Sequence, residues 1–254
     1  MTSDFNGKVA LIVGGTSGIG LAAAQLFHAA GAQVVISGRD LEKGRHAAHS
    51  IGPRARFLAC DVTQADQIAA MFALLGAEYG RLDAAVNSAA GPATPGQLHD
   101  IPETDARALL DTDVLAPLLC MQHEIALLRR QGGGTIVNLS SVNGLSGCPQ
   151  AALYSAGRHA VLGLTRSAAL EYIAENIRIN AVCPGAVDTP RRSQRLAHLA
   201  PEQQQAAMAR TAQDIPIRRL ARAEEIANAI FWLSSPQSSY VVGHALVVDG
   251  GLAA

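Results

Sequence analysis

Tyr154 and Arg158 stand four residues apart in the stretch "ALYSAGRHAVLGLTRSAALEY", Ala152 to Tyr172. Its apolar residues recur every three or four positions, which predicts an amphipathic helix carrying the phenol and the guanidinium on one face. A cation beside a phenol favours the phenolate and would equip Tyr154 for proton transfer. A tyrosine ring resting on an arginine stem gives the same spacing with no chemistry. A phenol's ordinary pKa is about 10, and each unit of depression needs about 1.4 kcal/mol of preferential stabilisation of the anion. Arginine supplies the charge but does not pass protons at neutral pH.

A second group of residues could hold a phosphate. "VALIV" (Val9 to Val13) runs into "GGTSGIG", which sets Gly14, Gly18 and Gly20 between a strand and a helix. Glycines there allow positive φ and a close backbone approach to a pyrophosphate at the helix N-terminus. An ordinary βα turn reads the same way when taken alone. Within an alternating sheet, the first such turn points to a dinucleotide. About twenty residues on, "SGRD" supplies Ser37, Gly38, Arg39 and Asp40 where an acidic residue would accept from a ribose. Gly38 leaves room, and Arg39 could fork onto a 2′-phosphate or simply face solvent. Asp40 could reach the ribose or cap the next helix. The balance favours NADP(H) over NAD(H).

The elements that must position these groups alternate along the chain. After Val9 to Val13, strands are expected at "QVVIS", "RFLAC", "LDAAVN", "GGGTIVNLSS", "IRINAVC" and "HALVVDGG". Helices are expected at "LAAAQLFHAAG", about Leu41 to Ser50, Asp61 to Tyr79, about Glu103 to Arg130, and Ala152 to Tyr172. Continuous apolar strands between helices predict an α/β fold: one doubly wound, Rossmann-type domain over 1–254, with about seven parallel strands and helices on both faces. The least patterned segment, about 188–216, follows a strand's carboxyl end and is expected to be an active-site lid.

Composition narrows the class. The 254 residues are 49% hydrophobic but only 4% aromatic, with 24 Gly, which favours aliphatic helix-on-sheet packing. A net charge of −1 and a pI near 6.7 give no nucleic-acid footprint. Cys60, Cys120, Cys148 and Cys183 form no C-x-x-C pair, so neither a disulfide framework nor a metal site is expected. "MTSDFNGKVALIVGG" lacks the pattern of a secretory signal, and the uncharged run 131–157 is too rich in Gly, Ser and Asn to span a bilayer. A cytoplasmic protein with a small-molecule partner, no membrane and no nucleic acid is expected.

With "GGTSGIG", "CDVTQ", "VNSAAG", "IVNLSS", "YSAGR", "INAVCPGAVDT" and "VVDGG" in order, the chain resembles the short-chain dehydrogenase/reductase family over almost its whole length. The resemblance implies hydride transfer between a nicotinamide cofactor and a carbonyl or secondary alcohol. It places Gly14, Thr16, Ser17 and Ile19 along the phosphates and Asp61 and Val62 at adenine. Asn87 and Ala89 would flank the ribose and nicotinamide, and Pro184, Gly185, Val187 and Thr189 would hold the nicotinamide amide. Asp61 could instead be an ordinary N-cap, and Pro184–Gly185 a simple turn. The resemblance makes Tyr154 the acid/base and Ser141, thirteen residues earlier, the group that holds the substrate oxygen. Ser140 is its neighbour, and strand alternation points the two opposite ways. A homotetramer or homodimer is also implied, with Ala160, Gly163, Ser167 and Ala168 as a small-residue helix face.

Two family residues are changed. Arg158 occupies the position of a lysine that binds the nicotinamide ribose, and Asp113 that of an asparagine; Val13 and "NSAA" are lesser departures. Arg for Lys alters shape and proton exchange while keeping the charge. Asp113 and Arg158 are expected to form an ion pair. The pair would mask part of the field on Tyr154 and favour reduction, which starts from phenol, over oxidation, which starts from phenolate. Two classes follow: a working NADP(H)-dependent carbonyl reductase, or a catalytically impaired relative acting as a nucleotide-binding sensor or assembly partner.

Other residues weigh less. Arg191, Arg192 and Arg195 could recruit an anionic substrate or touch a cofactor phosphate, but read more simply as solvated charge. Cys148 reads as packing; Asn143, Gln150 and Ala186 could shape a pocket. His159 is turned about 100° from Arg158 on the helix, away from the chemistry. Asp83 and Asp188 read as strand-edge and loop residues.

Overall fold

The structure, a computed structural model, describes residues 5–91 and 94–254. The reading of the N-terminus falls partly on residues 1–4, outside the described residues. Strand β1 (Val9–Val13) is followed by α1 (Gly18–Ala29), β2 (Gln33–Gly38), α2 (Leu41–Ile51), β3 (Ala55–Ala59), α3 (Ala65–Tyr79) and β4 (Ala84–Asn87). Next come α4 (Glu103–Leu110), a π turn (Asp111–Leu115), α5 (Ala116–Gln131), β5 (Gly134–Leu139), α6 (Ala152–Tyr172) and β6 (Ile177–Pro184). The chain closes with β7 (Val187–Asp188), α7 (Pro190–Leu196), α8 (Pro201–Asp214), β8 (Ala221–Arg222), α9 (Ala223–Ser234) and β9 (Ala245–Val248).

Seven strands form one parallel sheet in the order β3-β2-β1-β4-β5-β6-β9, while β7 and β8 pair separately. Strand alternation splits the interior into two cores. Ala10 and Ile12 of β1 pack with Ala23 and Phe27 of α1 and Ile226 and Ile230 of α9. Val9, Leu11 and Val13 pack on the other face with Ile68 and Leu75 of α3 and Met121 and Leu128 of α5. Phe5, Phe27 and Phe231 meet edge-on or tilted, with centroids 4.9 to 5.2 Å apart, and close the first core. The strand order reverses between β1 and β4, so the loops after these two strands diverge and open a cleft at their carboxyl ends.

Three expected elements differ. Helix α3 starts at Ala65 rather than Asp61, because the Asp61 carboxylate accepts from the Thr63 N–H (3.0 Å) and hydroxyl (2.9 Å) and holds a turn. The long helix from Glu103 is interrupted by the π turn, where one extra residue re-aims the side chains that follow. Segment 188–216 is mostly helical: Pro190 and Pro201 each stand in a first turn, where a missing N–H costs nothing.

Candidate active site

The glycine loop is built by close approach. Gly14 has φ +79°, and a Cβ there would lie 2.6 Å from the Ala89 backbone nitrogen, so the turns after β1 and β4 touch. A Cβ on Gly20 would run into the Gly14 carbonyl, so Gly20 closes the turn from behind and does not line the cleft. Ser17 is the N-cap of α1, with no side-chain bond capping the helix and no acid in its first turn. Those N–H groups and the helix dipole suit an anion.

The cleft measures about 570 Å³ and runs from Arg39 to Tyr154. That lies within the usual range of roughly 300–1,000 Å³ for ligand sites. Thr16, Ser17, Gly18 and Ile19 line its centre, with Asp61, Val62 and Ala89 beyond them. Pro184, Gly185, Val187 and Thr189 line the opposite wall. Arg39 is exposed and lines the far end together with Lys43 from the first turn of α2. Asp40 points elsewhere: its carboxylate accepts the Lys43 N–H at 3.0 Å as the N-cap of α2. A Cβ on Gly38 would lie 2.9 Å from Thr16 Cγ2, so this position is closed to a larger side chain. Lys43 escaped the sequence reading: it belongs to α2 while Arg39 precedes the helix's N-cap, so no helical spacing links the two.

At the other end, β5 delivers Ser140 and Ser141 to opposite sides. The Ser140 hydroxyl donates to the Arg158 carbonyl at 2.9 Å and ties the strand to α6. The Ser141 hydroxyl accepts the Asn143 N–H at 3.2 Å, which leaves its own proton free for the cleft. Arg158 lies with its guanidinium 5.0 Å from the Tyr154 ring centroid.

Arg158 and Asp113 form the expected ion pair, Nη2 to Oδ2 at 2.6 Å, with side chains 3% and 0% exposed. Arg158 Nη1 donates to the Leu139 carbonyl at 2.9 Å, and the Gly91 N–H donates to the other Asp113 oxygen at 2.7 Å. Gly157 makes the approach possible: a Cβ there would lie 3.0 Å from Leu109 Cδ2 and 3.4 Å from Asp113 Cβ.

Asn87, expected beside the ribose and nicotinamide, turns its side chain away from the cleft. Its amide is turned inward, donating to Glu124 Oε2 (3.1 Å) and Asn138 Oδ1 (2.9 Å), and it is absent from the cleft wall. Asn138 continues the chain to the Thr165 hydroxyl at 2.9 Å. With Asp113 and Arg158, Asn87 lines a separate small cavity. Burial pushes Glu124 up to about 8, against the opposing effect of the Asn87 bond. The sequence reading passed over Glu124, although it interrupts an otherwise apolar stripe of Cys120, Met121, Ile125 and Leu128 at helical spacing.

Arg191 and Arg192 are half-buried cleft residues rather than solvated charge, and Arg195 is exposed at the rim. Cys148 is not on the cleft wall, and the ring of His159 is bonded to the Ser155 carbonyl at 2.9 Å.

Known proteins resemble this chain in sequence and in fold. The family model described as "Enoyl-(Acyl carrier protein) reductase" matches residues 13–253. The cis-4-hydroxycyclohexanecarboxylate dehydrogenase of Sinomonas cyclohexanicum is 40% identical over 258 aligned residues, covering 100% of both chains. The 2,5-dichloro-2,5-cyclohexadiene-1,4-diol dehydrogenase of Sphingobium indicum is 37% identical, covering 99% of each. A solved variant of actinorhodin polyketide ketoreductase with NADPH superposes with a TM-score of 0.91 at 31% identity, over 96% of this chain and 97% of that one. The chain belongs to the short-chain dehydrogenase/reductase family and is an oxidoreductase with a Rossmann-type fold. Among the described residues, no helix is long and apolar enough to cross a membrane.

Proposed function

We propose that the protein is an NADP(H)-dependent oxidoreductase that interconverts an alicyclic secondary alcohol and its ketone. The observation that carries this is that Tyr154 and Ser141 both line the cleft that the glycine loop enters, with the Arg158 guanidinium 5.0 Å from the Tyr154 ring centroid. The open first turn of α1 fits a diphosphate, and Arg39 and Lys43 fit a 2′-phosphate. Both named relatives act on hydroxylated six-membered carbocycles, which supplies the substrate class.

A bound nicotinamide supplies or accepts the hydride. Tyr154 gives its proton to the carbonyl oxygen in reduction and takes it back in oxidation. Ser141 donates to that oxygen with the hydrogen its Asn143 contact leaves free. Arg158, fixed by Asp113 and the Leu139 carbonyl, keeps positive charge beside the ring and passes no proton. Asp113 offsets part of that charge, which favours the direction starting from phenol, carbonyl reduction. Gly163, with open space at its Cβ position, and Leu170, 78% exposed, give α6 an outer face suited to a second copy.

The test is loss of reduced-nicotinamide absorbance with NADPH and a panel of cyclic ketones, wild type beside Arg158→Lys. Turnover by the wild type supports the assignment. Turnover by the lysine variant alone overturns it and makes the native chain a nucleotide-binding sensor or assembly partner.

A further inference from the structure

Arg191 stands in the first turn of α7 with its guanidinium 6.0 Å from the Tyr154 ring centroid, on a ring that Arg158 approaches to 5.0 Å. Its Nη2 donates to the Gly91 carbonyl. Among the described residues it makes no ion pair. Asp113, whose field reaches it, has one oxygen engaged by Arg158 and the other by the Gly91 N–H. Burial, joined by Arg158 and Arg195 as like charges and opposed by Tyr154 and Asp113, holds Arg191 below the ordinary guanidinium value. A half-buried cation among cations, facing an open cleft, gains most from an anion that the ligand brings.

Its neighbours fix where that anion would sit. Thr189, the N-cap of α7, packs on the glycine loop, with Cγ2 3.3 Å from a Cβ built on Gly18. Arg192 is committed to α8, donating to the Thr211 hydroxyl at 2.6 Å and seating α7. Of the three, Arg191 is the one bonded to the Gly91 carbonyl and 6.0 Å from the Tyr154 ring centroid.

We propose that Arg191 is a specificity-determining residue that binds a carboxylate on the substrate, remote from the reacting carbon, so that the site selects keto or hydroxy acids over uncharged ring alcohols. A planar guanidinium with unused donors suits a two-oxygen anion. The proposal rests on the reading of Tyr154 as acid/base. The competing source of an anion is the cofactor diphosphate.

The test separates these. NADPH and NADH binding to the full chain are measured by nucleotide fluorescence. The NADPH complex is then titrated by calorimetry with cyclohexanecarboxylate and with cyclohexanecarboxamide, for wild type, Arg191→Gln and Arg191→Lys. The expected result is at least tenfold tighter binding of the carboxylate than the amide by the wild type. Arg191→Gln loses that preference, Arg191→Lys restores part of it, and NADPH affinity shifts less than threefold. Equal binding of the two probes by the wild type, or a Gln defect that falls on NADPH affinity, overturns the assignment. Failure of the wild type to bind either nucleotide overturns the oxidoreductase reading itself, and is told apart because it appears before any probe is added.

Discussion

Arg158 Nη2 lies 2.6 Å from Asp113 Oδ2, and the two side chains are almost wholly withdrawn from solvent. The guanidinium that the YxxxR spacing places beside Tyr154 is therefore half of a buried ion pair and not a free charge. Removing one member of such a pair strands the other, at about 3–5 kcal/mol. Asp113→Asn should destabilise by that amount, measured by urea melts. The double variant Asp113→Asn/Arg158→Lys should lose less than the sum of the two single losses. Additive losses would show that the residues do not act on each other.

Tyr154→Phe should lower kcat about 100- to 10,000-fold, the range lost with a positioned acid. Nucleotide affinity should stay close to the wild-type value, because the proposed phosphate site is the α1 turn, remote from the phenol hydroxyl. Substantial residual turnover would move the proton donor elsewhere.

Arg39 and Lys43 share the far end of the cleft. A charged hydrogen bond contributes about 1.5–3 kcal/mol. Arg39→Ala and Lys43→Ala should each raise the KM for NADPH about tenfold or more and change that for NADH by less than twofold. Equal losses for both nucleotides would refute a 2′-phosphate contact.

Glu124 gives a pH signature. Burial raises its carboxyl to about 8 from an unfolded value near 4.5, so between these limits the folded chain holds a proton that the unfolded chain has released. Protons bound by the unfolded state minus those bound by the native state is then negative, and stability falls as pH rises from about 5 to 8. The slope is at most about 1.4 kcal/mol per pH unit. Glu124→Gln should flatten this part of the curve in thermal melts from pH 5 to 8.5. Parallel wild-type and variant curves would show that Glu124 does not titrate there.

Much of this protein was legible in local pattern. The alternation of apolar strands and periodic helices needs only neighbouring residues, and it specified the parallel sheet, the position of the glycine loop and the Tyr154–Arg158 face. Ser141 came from the family resemblance, which places the serine thirteen residues before Tyr154. The tertiary structure decided what burial and long-range approach control. A π turn aims Asp113 at a helix 45 residues away, through a gap that Gly157 leaves open. Asn87 turns from the cleft because a carboxyl on α5 and an amide on β5 offer its donors partners inside the sheet. Arg191, solvated charge by composition, enters the cleft because α7 starts at Pro190 and is fastened to α8. Sequence periodicity reports which face of an element is apolar. It does not report which distant polar group meets that element, and those meetings set the charges around Tyr154.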